Sequence, residues 1–152
     1  MRIAIRFLAL ALASLSMARA CECSDPTVQD AKQRATVIFH GTITALRSTD
    51  KRSPMGIDTG KVATFRVARV WKGEVGPVFE MPAVVAGGDC WGFSDRLLKV
   101  ASDLIVYAVR IEGMYYTTLC SRTQFVKFAT KDLEELVVGE LPKTSSVRST
   151  SK

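Results

Sequence analysis

The chain has 152 residues, 21 Lys and Arg against 15 Asp and Glu, a formal charge of +6, and 47% hydrophobic residues. That length suits one domain with an ordinary core, and beyond the first twenty residues no apolar run is long enough to cross a membrane. Three arginines and no acid fall in residues 1–20, so residues 21–152 carry only +3, and the high pI is no signal for nucleic acid.

Arg2 and Arg6 precede the apolar stretch "FLALALASLSMA", and Ala18 and Ala20 flank Arg19. A positive start, a short apolar run and an A-x-A end are the layout of a secretory signal peptide cleaved after Ala20. A buried N-terminal helix is the alternative, but the apolar run stops at residue 20. Lipidation of Cys21 is a further alternative, against which Arg19 argues. Export makes the periplasm or the exterior the expected location.

The next stretch, "SDPTVQDAKQRAT", reads as a short helix, with Asp25 as its cap and Pro26 at its first position. In "TVIFHGTITALR", Val37, Phe39, Gly41, Ile43 and Ala45 alternate onto one face of a strand. A polar loop, "STDKRSPMGIDTGK", leads to a second strand, "KVATFRVARVWKG", with Ala63, Phe65 and Val67 inward. "PVFEMPAVVA" is a third, and Pro82 places it at an edge or bulge.

"GGDCWGFSDRLLKVASD" is an irregular connection. "DLIVYAVRI" predicts a strand buried on both faces, and "MYYTTLC" its hairpin partner across Glu112-Gly113. In "TKDLEELVVG" a short helix is expected, capped by Thr130, with Leu133, Leu136 and Val137 as its apolar stripe and Gly139 as its stop. Residues 141–152 are polar and charged, as in a disordered tail. Five strands, two short helices and no βαβ rhythm predict an all-β fold, a five-stranded closed barrel of the OB type. A β-sandwich usually needs more strands.

Residues 21–152 hold four cysteines: Cys21, Cys23, Cys90 and Cys120. In an exported chain this reads as two disulfides, for which three connectivities exist. A Cys21–Cys23 bridge would close a very small, strained ring. Closing a loop of about 70 residues contributes roughly 4 kcal/mol in the chain-entropy model.

Cleavage would also leave Cys21 with an α-amino group of pKa about 8, partly neutral near neutral pH and able to bind a metal. With the neighbouring carbonyl oxygen it forms a five-membered chelate. A zinc protease keeps an open coordination position, filled by water, that such a chelate could enter. A simpler role is also open, in which the cysteines only staple a loose N-terminus to the barrel. Free thiols at C-x-C would instead allow copper binding or thiol exchange, but two distant partner cysteines favour structural bridges.

Several stretches carry a resemblance: the starting "CEC", "VIFHGTI", "FRVARVWKG", "DCWGF", "DLIVYA" and "TTLCS", with Cys90 at 69 positions after Cys21 and Cys120 at 97 after Cys23. Over residues 21–140 the chain resembles the N-terminal, netrin-like domain of the tissue inhibitors of metalloproteinases. The resemblance implies an OB-like barrel with Cys21–Cys90 and Cys23–Cys120 bridges. It implies a protease-contact ridge made of Cys21, Glu22, Cys23 and Ser24 with Gly88, Asp89 and Cys90. The Cys21 amine and carbonyl would bind the target's zinc, and residue 22 would enter the target's specificity pocket. A zinc metalloprotease is thus the implied partner, with no catalysis, no cofactor and a monomeric state expected.

This sequence departs from the family in three ways. It lacks a cysteine in the early helix for a third disulfide, and it lacks the cysteine-rich second domain. It also places Glu22 where animal inhibitors carry a small, usually hydroxylated residue. An unpaired carboxylate in an apolar pocket costs several kcal/mol, which argues against animal-type matrix proteases as targets and leaves open a target whose pocket carries Arg or Lys. The rival is an exported binding module that contacts a cell-envelope or extracellular protein without inhibiting a protease.

Other constellations are weaker. His40, the single histidine, faces away from the core, and a Ser-His-Asp arrangement would need it beside residues such as Ser94 and Asp103, with no nucleophile elbow in the chain. Arg66, Arg69, Trp71 and Lys72 could line a single-strand nucleic-acid groove on an OB barrel. A solvated strand face, with Trp71 plugging the barrel end, accounts for them as well, and export argues against nucleic acid. Trp91, beside Cys90, is expected to pack.

Overall fold

A computed structural model describes residues 21, 23–49, 60–86, 90–137 and 142. The expected leader 1–20, most of the polar loop, Gly139 and nearly all of the expected C-terminal tail lie outside the described residues. The elements run α1 (Val28–Arg34), β1 (Val37–Ser48), β2 (Lys61–Lys72), β3 (Val78–Pro82), a 3-10 turn (Asp95–Leu97), β4 (Asp103–Ile111), β5 (Met114–Tyr116), β6 (Gln124–Phe125), a second 3-10 turn (Val126–Phe128) and α2 (Thr130–Glu135).

The strands form one antiparallel sheet in the order β3-β2-β1-β4-β5, with β6 added to β4. It curls over a core of Phe39, Ile43, Phe65, Met81, Phe93, Leu104 and Val106. Phe39 meets Phe65 edge to face, with ring centroids 5.3 Å apart. The expected alternation holds in β2, where Ala63, Phe65 and Val67 are buried and Arg66 is exposed. The other face of β1 and β4 is covered by the helices: Ile38, Ile105 and Tyr107 pack with Val28, Ala31, Ala35, Ala129 and Leu136. That second cover explains why Leu104 to Ala108 is an unbroken buried run, as the apolar stretch predicted.

The expected closed barrel is not formed; the sheet is an open half-barrel. Among the described residues no ladder joins β3 to β5. β5 has only three residues, and β3 ends at Pro82, which has no N–H to donate. Side chains bridge the seam instead, with the Phe79 and Tyr115 rings 5.1 Å apart. Pro82 does lie on an edge strand, as expected. Glu112 and Gly113 both take positive φ (48° and 86°), the pattern of the tight hairpin turn predicted there. β5 stops at Tyr116, short of the expected hairpin arm, and β6 was not anticipated.

Helix starts and stops differ in detail. Thr27, not Asp25, caps α1: the Asp30 N–H donates to the Thr27 hydroxyl at 3.1 Å, and the Thr27 N–H donates to the Asp30 carboxylate at 3.3 Å. The Thr27 hydroxyl, which donates to the Asp30 carboxylate at 2.7 Å, and then the Thr27 N–H hold the Asp30 carboxyl below the usual range. Thr130 is the first residue of α2 rather than its cap. The expected stripe is also incomplete. Leu136 is buried, but Leu133 and Val137 are exposed, and the residue α2 turns inward is Asp132.

Candidate functional site

Three extended segments meet beside the core and build a small platform. The Phe93 N–H donates to the Val84 carbonyl, and the Ala86 N–H to the Phe93 carbonyl, each at 2.8 Å. On the other side, Gly92 donates to the Thr117 carbonyl at 2.8 Å and Leu119 to the Cys90 carbonyl at 3.0 Å. Segment 90–93 is therefore held from both flanks. Gly92 is required there: its φ is 114°, and a Cβ would stand 2.4 Å from the Val84 carbonyl oxygen.

Two disulfides pin the N-terminal segment onto this platform. Cys21 bonds Cys90, with Cα atoms 5.6 Å apart, and Cys23 bonds Cys120, with Cα atoms 5.2 Å apart. Of three possible connectivities, the pairing implied by the resemblance is the one formed. Cys90 has a φ of 64°, unusual for a residue with a side chain. Cys21 and Cys90 are half-buried, while Cys23 and Ser24 are exposed. Glu22, Gly88 and Asp89, also expected in the ridge, lie outside the described residues. Four of the seven expected ridge residues are thus brought to one edge of the molecule.

Two features of this edge were not read from the sequence. Val85 and Leu119, each on a segment bonded to 90–93, are 50% and 41% exposed. They put apolar surface beside the pinned segment. Behind it stands Arg122. Its Nη1 donates to the Pro26 carbonyl at 2.9 Å, and Nε and Nη2 grip Asp132 at 2.9 and 2.7 Å. Tyr107 donates its hydroxyl to Asp132 at 2.6 Å, and Gln124 adds a further donor at 3.1 Å. Asp132 is 1% exposed, and this fourfold donation offsets its desolvation. The hydrogen bond to Asp132 raises the Arg122 pKa, and burial together with Asp132 raises that of the Tyr107 phenol. The chain leaving Ser24 is thereby tied to α2. No local pattern announces it, because Arg122 and Asp132 lie in different elements.

The other constellations resolve into structural roles. Lys72 Nζ donates to the Lys32 and Gln33 carbonyls at 2.6 and 3.2 Å, a cation on the C-terminal end of α1. The Trp71 indole donates to the Val137 carbonyl at 2.9 Å, tying down the end of α2 rather than plugging a barrel. Two of the four residues of the nucleic-acid alternative are thus used in packing, while Arg66 and Arg69 are exposed. His40 Nε2 lies 2.7 Å from Asp103 Oδ1, but Ser94 opens the 3-10 turn and makes no hydrogen bond to His40 among the described residues. Trp91 packs edge to face on Tyr116. Among the described residues no cluster of His, Cys, Asp and Glu could hold a metal ion, and no helix is long and apolar enough to cross a membrane.

No protein-family model matches the chain. Among curated proteins, too, nothing matches it.

Proposed function

We propose that the protein is an exported inhibitor of zinc metalloendopeptidases that acts through its processed N-terminus. The observation that carries this reading is the pair of disulfides holding Cys21 and Cys23 on adjoining segments of one platform. A segment fixed at both cysteines loses little entropy on docking. Disulfides also suit a periplasmic or extracellular setting. The half-barrel is then an OB-like barrel whose last seam is left to side chains.

In the mechanism, cleavage after Ala20 exposes the Cys21 amine. The neutral amine and the Cys21 carbonyl oxygen chelate the target's zinc and displace its water. Glu22 enters the specificity pocket and selects a target with a cation there. Ser24 and the 88–90 loop complete the contact, with Val85 and Leu119 adding apolar area at its margin.

Glu22 also favours the second reading, a binding module whose ridge docks on another envelope or extracellular protein. One experiment separates the two. The protein beginning at Cys21, and the same protein with one added Ala before it, are assayed against a panel of zinc endopeptidases. The inhibitor reading expects inhibition of at least one enzyme, weakened at least about a hundredfold by the extension, since the chelating amine is lost. Inhibition indifferent to the extension, or none across the panel, would overturn it in favour of the binding module.

A further inference from the structure

Beneath the second disulfide, beside the last turn of α1, lies a cavity of about 180 Å³. Its helix wall is Ala31 and Ala35, one turn apart and both buried, where larger side chains would have filled the space. Trp91, Tyr107 and Tyr116 supply aromatic walls. Two of the polar side chains around it are already engaged. Tyr107 donates to Asp132, and the Ser121 hydroxyl donates to the Thr118 carbonyl at 2.8 Å. No described buried side-chain polar atom lacks a partner. The lining is mostly apolar, and an apolar cavity of about 150 Å³ is known to take one benzene ring.

One charged residue, Arg34, lines the cavity. It is exposed and makes no hydrogen bond or ion pair among the described residues, although its charge is felt by Asp30 one turn earlier. An apolar space sized for one ring, with a cation at its rim, fits one ligand class. We propose that this cavity binds a small carboxylate with a single aromatic ring or a short alkyl body, its apolar part between α1 and Trp91 and its anion on Arg34. The site is independent of the N-terminal ridge and of the protease reading.

The test uses the oxidised protein with phenylacetate and its uncharged counterpart toluene, followed by NMR shifts and ligand contacts at Trp91 and Val109, which also lines the cavity. Both probes bind at these residues, phenylacetate the tighter. Arg34→Gln weakens phenylacetate by about tenfold and leaves toluene unchanged. Ala31→Leu fills the space and abolishes both. If that variant does not fold, direct contacts from the ring to Trp91 and Val109 in the unaltered protein decide. The proposal is overturned if neither phenylacetate at about 10 mM, a level at which even a millimolar site is mostly filled, nor toluene at saturation binds. Contacts that map elsewhere, or phenylacetate no tighter than toluene, overturn it as well.

Discussion

Asp132 shows how far a single residue can depart from its local pattern. Its neighbours Leu133 and Val137 are the apolar choices for the inward face of α2, yet they are exposed while the carboxylate is buried. The reason lies outside the helix, in the donors from Tyr107, Arg122 and Gln124 that converge on it. A buried carboxylate with several donors, one of them a bidentate guanidinium, is tolerable where an unpaired one is not. The Tyr107 phenol, raised above its ordinary value of 10.0 by burial and by Asp132, makes this network sensitive to base. Its contribution is complete below pH 10 and is lost as pH rises towards the folded-state value, because only the unfolded chain then sheds the proton. Between pH 10 and 11 the protein should lose about 1 kcal/mol more stability than Tyr107→Phe does. Urea titrations at the two pH values measure this, and equal losses would remove Tyr107 from the account. None of it was legible locally, since helical periodicity scores apolar faces and is blind to a carboxylate whose donors come from other elements.

At the scale of elements, strand faces were more legible than helix ends. Alternation placed Ala63, Phe65 and Val67 inward, and the apolar run of β4 correctly announced two covered faces. Caps are decided by single hydrogen bonds, and several residues near each end could make them. Thr27 took the role expected of Asp25 because Asp30 stands three positions on and completes the reciprocal pair. Just past α2, Val137 takes a left-handed conformation, with φ of 57°. A β-branched residue is strained there, and the Trp71 indole on its carbonyl helps hold it. Val137→Gly removes the strain at a side chain that is 70% exposed and packs little. It should stabilise the protein by about 0.5–1 kcal/mol, after the greater entropy of unfolded glycine is counted. A chemical-denaturation midpoint that stays put or falls would show that the strain is relieved in some other way.

For the whole molecule, the disulfides join what the sheet leaves apart. The bridge between Cys23 and Cys120 spans 97 positions and fixes the stretch before α1 to the segment after β5. Because the Cys21–Cys90 bridge remains, this second bridge closes a loop of only about 30 residues, and replacing both of its cysteines by serine should cost about 3–4 kcal/mol in the chain-entropy model, read from denaturant unfolding of the oxidised proteins. A loss below about 1 kcal/mol would mean that α1 and the Arg122 grip already order this region without the bridge. The sequence by itself determined the β-rich class, the inward faces of the central strands, the hairpin at Glu112-Gly113 and the even set of cysteines. These rest on periodicity, turn chemistry and composition, which are local. Only the tertiary structure decided that β3 and β5 leave the barrel open, that Val85 and Leu119 flank the segment pinned by the disulfides, and that α1 borders a cavity. Each of those depends on how segments far apart in the chain approach, a matter of packing distances and of which backbone groups find partners.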